Sequence, residues 1–248
     1  MKKTMQIVTA VMFCLFIGGF GLLHILLPDQ SFSPVENRYL SQMPTFSISK
    51  LVDGSYTEDL ETYLEDQFPL RDKWIGLKTR YEYALGKREF GSDSRGYVYV
   101  CGDRLIAKVV ESDRAEQNLS YVQDLVEKSD IPVYLGLIPT AAEVWRDKLP
   151  EGAESFDQLG YIEKGEETGA VYVDMAGVLM DHAGEEIYYR TDHHWTSLGA
   201  YYGYTALLEA MGMTPQSLGE GTTVSEDFNG TLYSTSGVHW LQPDTIET

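Results

Sequence analysis

Cysteine is nearly absent: the 248 residues hold Cys14 and Cys101 and no other. Cys14 lies inside a hydrophobic run, so the two are not expected to pair, and no CxxC pattern signals a metal knot or redox centre. Basic residues are also scarce, 19 Lys and Arg against 38 Asp and Glu, for a net charge of −19. That balance excludes a nucleic-acid-binding class, which needs a basic face, and argues against broad adhesion to anionic lipid. Repeats and low-complexity tracts are missing. The five histidines show no ligand spacing beyond one adjacent pair. What is present suffices for a packed core: 43% hydrophobic residues and seventeen tyrosines.

Lys2 and Lys3 precede an apolar run from about Met5 to Leu27, closed by Pro28, Asp29 and Gln30. As a helix at ~1.5 Å per residue, this run reaches across a ~30 Å hydrocarbon core. No A-x-A cleavage site follows it, which favours an uncleaved single-pass anchor over a signal peptide. The lysines place the N-terminus inside and the bulk of the chain outside the cell membrane. Gly18, Gly19 and Gly21 lack GxxxG spacing. Residues 1–28 are thus expected as anchor, 29–55 as an extracytoplasmic linker rich in Ser and Pro, and 56–248 as an α/β domain.

Within 56–248, Leu60, Tyr63, Leu64 and Phe68 share one helical face, and Pro69 interrupts. Leu70, Trp74, Leu77, Tyr81 and Ala84 continue the stripe to Gly86, and core packing is its plainest reading. Gly96–Val100 and Leu105–Val110 flank a Cys101-Gly102-Asp103-Arg104 turn and predict a β-hairpin. Helix then alternates with strand. Asp113–Lys128 is helical. Ile131–Ile138 and Ala170–Asp174 read as strands buried on both sides, and short helices are expected at 141–148, 161–168 and 176–182. Such alternation predicts a parallel sheet flanked by helices, with ligands at the strand carboxyl ends.

The stretch with the most chemistry is Tyr189-Arg190-Thr191-Asp192-His193-His194-Trp195-Thr196, ahead of a helix expected from Ser197 to Met211. If the segment is extended, Asp192 and His194 point to one side and His193 to the other. A carboxylate beside one imidazole fixes its tautomer and stabilises its charged form, which suits a general base. Two other readings stand beside this one. Asp-x-His also serves as a hydrogen-bonding group before a helix, with Thr196 or Ser197 as N-cap. A metal site would need three or four converging ligands, and adjacent extended histidines diverge. No cofactor is expected.

The run Glu186-Ile187-Tyr188-Tyr189-Arg190-Thr191-Asp192-His193-His194-Trp195-Thr196-Ser197-Leu198-Gly199-Ala200-Tyr201 resembles the hallmark of the DHHW protein family. Its Asp-x-His-Trp core is similar to that of alginate O-acetylation proteins of AlgX/AlgJ type. Weaker likenesses are Glu36-Asn37-Arg38, Asp66-Gln67-Phe68-Pro69-Leu70-Arg71-Asp72, Ile138-Pro139-Thr140 and the Phe228-x-Gly230-Thr231-Leu232-Tyr233-Ser234 block. The resemblance implies an SGNH-hydrolase-like fold, a flavodoxin-like α/β/α sandwich with a parallel sheet. It also implies a Ser-His-Asp triad with Asp192 as acid and His194 as base, moving acyl groups on carbohydrate hydroxyls. The implied partners are a polysaccharide, the lipid bilayer through residues 5–27, and acetylation-machinery proteins.

In that family a serine in an Asp-Ser-Tyr-like block follows downstream, and Gln242–Thr248 holds none. Ser234 and Ser236 read as loop serines, so the chain is expected to be truncated at its C-terminus and inactive as it stands. A non-catalytic carbohydrate-binding or assembly protein of the same fold is the alternative, and a metal-dependent hydrolase the third reading.

Overall fold

The computed structural model describes residues 2–248; Met1, the first residue of the expected 1–28 anchor, lies outside them. The chain divides after Tyr81 into two units.

The first unit begins with the helix Lys2–Leu26, long and apolar enough to cross a membrane, with no buried residue. Phe32–Ser33 and Arg38–Tyr39 then pair as a short antiparallel ribbon. Helices follow at Ile48–Val52 and Ser55–Asp66, and Arg71–Ala84 starts after Pro69, with Leu70 in the left-handed region (φ 60°). The apolar stripe of these helices is not a core: Leu64, Leu77 and Tyr81 stay exposed. Phe68 stacks on Phe20 with ring centroids 5.4 Å apart, and Trp74 meets Phe20 at 5.8 Å.

Buried charge, not apolar packing, ties this unit together. The Arg38 guanidinium donates to Asp66 Oδ2 (2.9 Å) and Oδ1 (2.5 Å) and, through Nε, to Glu36 at 2.6 Å. Arg71 also pairs with Glu36, at 2.8 Å, and the Ser41 amide donates to Asp66 at 2.8 Å. The Gln67 side chain donates to the carbonyls of Gln30 and Ser41. The Glu36–Arg38 and Asp66–Asp72 blocks, distant in sequence, are the two halves of this network. Such bidentate, charge-assisted bonds fix orientation as well as supplying energy.

In the second unit, the predicted hairpin is the middle of the core. Gly96–Cys101 pairs antiparallel with Arg104–Ala107 through a two-residue Gly102-Asp103 turn. A third strand, Glu89–Ser92, joins its other edge. Strand alternation sends Val98 and Val100 to one face, where Phe90, Leu105, Leu232 and Val238 cluster. Tyr99 and Cys101 go to the other face, against Ile106, Ala142, Trp145, Leu179, Ile187 and Tyr188. Burial pushes the Cys101 thiol up to about 11, so it is an inert core group.

The expected buried parallel sheet is much reduced. Its two strands shrink to Tyr134–Leu135 and Val171–Tyr172, one two-stranded parallel pair among mostly antiparallel small sheets. Ile131 and Ile138, read as doubly buried, are 73% and 47% exposed. The fold is therefore mixed α/β, and among the described residues the parallel sheet does not extend beyond that pair. Short helices do follow at Ala141–Val144, Gln158–Glu166 and Met175–Asp181, after the helix Ala115–Lys128.

The helix Ser197–Ala210 carries the site loop on its N-terminus. Thr196 caps it by accepting from the Gly199 amide, as one of the two expected caps. A Cβ at Gly203 would lie 2.8 and 2.9 Å from the Trp195 ring, so glycine here lets the indole lie against the helix. Gly203→Ala is expected to destabilise the fold by about 1–2 kcal/mol, overpacking exceeding the gain in helix propensity. A lowered urea midpoint checks this, and an unchanged or raised midpoint refutes it.

Candidate functional site

Ile187 and Tyr188 are buried, and the chain after them doubles back with Thr191 and Asp192 also buried. Tyr188 bridges Trp195, the Tyr189 amide donates to the His194 carbonyl (3.2 Å), and the Thr196 amide donates to the Ile187 carbonyl (2.9 Å). Residues 189–194 are thus a closed bend and not the extended segment that the alternation argument assumed. Asp192 and His194 still meet, for a different reason. Asp192 Oδ1 accepts the His194 amide at 3.0 Å and the His194 Nδ1 proton at 2.6 Å. Aspartate commonly bonds the amide two residues on, and that turn brings the imidazole with it.

His193 departs from the expectation that it faces away. Its ring lies beside that of His194, with centroids 3.9 Å apart, and its Nδ1 is 3.8 Å from Asp192 Oδ1. A bend does not alternate sides as a strand does, so both imidazoles sit over one carboxylate.

The second wall of the site comes from 230–231. The Thr231 amide (2.7 Å) and hydroxyl (3.0 Å) both donate to Asp192 Oδ2, and His193 Nδ1 lies 2.8 Å from the same hydroxyl. A Cβ on Gly230 would fall 2.6 Å from Asp192 Oδ2 and 2.7 Å from the Thr191 carbonyl. Glycine at 230 is what permits this approach. Asp192 is buried, and burial by itself raises a carboxyl pKa. The amides of Thr231 and His194, with the His194 ring and the Thr231 hydroxyl, outweigh it and hold the carboxyl below its ordinary value. Asp192 is therefore ionised at neutral pH and buried with four donors.

A third layer holds the loop itself. Buried Asp244 accepts the Arg190 amide (2.7 Å), the Thr191 amide (2.8 Å) and the Thr191 hydroxyl (2.5 Å). Thr191 Oγ1 accepts the Gly230 amide at 3.0 Å, and the Leu105 amide donates to the Arg190 carbonyl at 2.7 Å. The central sheet, the bend and the last strand Asp244–Glu247 are thereby linked. Sequence reading missed Thr191, Thr231 and Asp244. The 228–234 block carried a weak signal for Thr231; an acid in a polar tail carried none for Asp244.

The imidazoles remain open outward. The His194 side chain is 67% exposed and that of His193 is 50% exposed. Among the described residues, no group hydrogen-bonds Nε2 of either ring. Ser234 and Ser236 lie in the short helix Thr231–Ser236 and not in a loop, with hydroxyls on the Gly230 and Tyr233 carbonyls. The Ser197 hydroxyl donates to the Glu247 carbonyl. Asp192, His193 and His194 each offer a ligand atom within 4.8 Å of the others, so the metal reading gains the convergence that an extended segment denied it.

A family profile described as DHHW protein matches residues 87–246, which hold the central sheet and the whole site. A DHHW family protein from Eubacterium siraeum has a similar structure, with a TM-score of 0.53 and 26% identity over 64% of this chain and 56% of that one. The chain thus spans little more than half of that protein's length. The O-acetyltransferase domain of AlgJ from Pseudomonas putida aligns with a TM-score of 0.48 and 19% identity, over 60% of this chain and 63% of its own. AlgX from Pseudomonas aeruginosa aligns with a TM-score of 0.45 and 18% identity, over 63% and 44%. A search among curated proteins found no match.

Proposed function

The chain belongs to the DHHW protein family, and on that footing we propose that it acts as an exported, membrane-anchored acyl esterase or O-acetyltransferase of SGNH-like type on cell-surface carbohydrate, with Asp192 and His194 as its acid–base pair. The observation that carries the reading is the His194–Asp192 pair. The carboxylate is buried, ionised and bonded to Nδ1 at 2.6 Å, so that ring holds its proton at Nδ1 and presents a bare Nε2 outward. That is the arrangement a general base needs: tautomer fixed from behind, lone pair toward the reactant, and a carboxylate ready to stabilise the imidazolium.

The chemistry follows in order. Nε2 of His194 takes the proton of a serine hydroxyl as that oxygen attacks an acyl carbonyl. The imidazolium, held by Asp192, then returns the proton to the departing oxygen. A sugar hydroxyl or water attacks the acyl-serine in the second half, with the same base. Because the hydroxyls of Ser234, Ser236 and Ser197 are spent on backbone carbonyls, none is assigned as the nucleophile. Residues 1–28 serve as the anchor, through the apolar helix, 29–55 as its linker and 56–248 as the acyl-transfer domain.

The test is labelling with an aromatic sulfonyl fluoride, followed by peptide mass spectrometry, on the protein as encoded. One modified serine is expected, with loss of turnover of a chromogenic acetyl ester and no effect of a chelator. Turnover that survives labelling but is abolished by chelation would replace this reading with metal-dependent hydrolysis. A label found on Ser234 or Ser236 would make that residue the nucleophile.

A further inference from the structure

The hydrogen bonds of the bend settle the proton on both imidazoles. The carboxylate of Asp192 only accepts, so the 2.6 Å contact puts the His194 proton on Nδ1. The Thr231 hydroxyl has one proton, and the ionised carboxylate is a stronger acceptor than a neutral ring nitrogen. That proton goes to Asp192 Oδ2, so toward His193 the hydroxyl accepts and the His193 proton also sits on Nδ1. The two rings lie side by side with centroids 3.9 Å apart, both half or more exposed, and with both Nδ1 atoms engaged neither Nε2 has a partner among the described residues. A base in acyl transfer needs one such Nε2. The second is left without a task.

We propose that His193 and His194 together bind a divalent transition-metal ion of the zinc class through their Nε2 atoms, with Asp192 and Thr231 as the groups that orient them. Imidazole suits such ions, and a ligating histidine typically donates its other ring N–H to a carboxylate or another oxygen. Here both rings do so: His194 directly to Asp192, and His193 to the Thr231 hydroxyl that is itself bonded to Asp192. Asp192 is excluded as a direct ligand. Each of its oxygens already accepts two donors, the His194 amide and ring on one side and the Thr231 amide and hydroxyl on the other. With two protein ligands the site falls short of the three or four of a resident zinc centre; water takes the remaining positions, which makes it open and exchangeable. Magnesium and calcium, which prefer oxygen ligands, are not expected to bind there.

Binding does not depend on the acyl-transfer reading. Where that reading holds, an ion on Nε2 occupies the lone pair the base uses, so zinc acts as an inhibitor and not as a cofactor.

The test is a zinc chloride titration of the full chain in detergent by calorimetry, which needs no ester turnover. One site per chain is expected, with affinity at least tenfold weaker in His193→Ala and in His194→Ala, and unchanged in His182→Ala. Thr231→Val keeps both ligands but removes the orienting hydroxyl. It should weaken zinc by about tenfold or more, with Thr231→Ser restoring it. Parental affinity in either histidine variant, or in Thr231→Val, overturns the proposal, as does magnesium binding with the same strength as zinc.

Discussion

His194→Ala is expected to lower acetyl-ester turnover by the encoded protein by about 10⁴-fold or more, while His193→Ala costs about tenfold. The difference comes from how each ring reaches the carboxylate. His194 donates to Asp192 directly at 2.6 Å, so the charge formed on that ring is stabilised by an adjacent anion. His193 makes no direct hydrogen bond to that anion: its Nδ1 lies 3.8 Å from Asp192 Oδ1 and is bonded instead to the Thr231 hydroxyl at 2.8 Å, so it is better placed to crowd and orient its neighbour. Asp192→Asn is expected to approach the His194→Ala loss. An amide can donate to Nδ1 and stabilise the wrong tautomer, and it carries no charge for the imidazolium. Steady-state turnover of a chromogenic acetyl ester, with thermal melts to show that the variants fold, decides this. Equal losses in the two histidine variants would refute the assignment of His194 as base.

The Asp192–His194 pairing was legible in the sequence, but the reason given for it was not the one at work. Strand alternation predicts the pair and sends His193 away. The bend closed by Tyr188 and Trp195 keeps the pair through the reach of aspartate to the amide two residues on, and it brings His193 back. Nothing in residues 189–196 announces that closure, because it depends on hydrogen bonds to Thr231 and Asp244, about forty and fifty residues downstream. The hairpin at 96–107 was legible because alternation and its Gly102 turn are local. Its place at the centre of the core was not, since that requires the helices near 141 and 231 to cover both faces. Conversely, Ile131–Ile138 has a buried strand's composition but pairs over two residues only. An apolar run states a preference for burial and cannot state what arrives to cover it. The family, by contrast, was readable from sixteen consecutive residues, Glu186 to Tyr201, because the acid–histidine pair, Trp195 and the Thr196 cap with the start of its helix all fall inside that window.

Asp66→Asn is expected to cost the first unit about 2–4 kcal/mol, the largest stability loss anticipated for a single exchange there. Asp66 is buried, receives both arms of Arg38 and accepts the Ser41 amide as well. An asparagine keeps one acceptor of the two, loses the charge, and leaves Glu36 as the one carboxylate paired with the guanidinium. The pH dependence gives a sharper test. Arg38 beside it, with the Ser41 amide against the opposing effect of burial, holds the Asp66 carboxyl at about 2, below its ordinary 3.8. The folded state thus binds a proton less readily than the unfolded one. The stabilisation is full above about pH 4 and disappears as pH falls through about 2, a change of about 2 kcal/mol. Glu36, held low against its burial by Arg71 and Arg38, works in the same direction. Thermal melts of the parent in detergent should therefore fall steeply from pH 4 to pH 2. In Asp66→Asn they should start lower and fall less, retaining the Glu36 share. Parallel curves for the two proteins would show that the Arg38–Asp66 pair does not carry the acid stability of this unit.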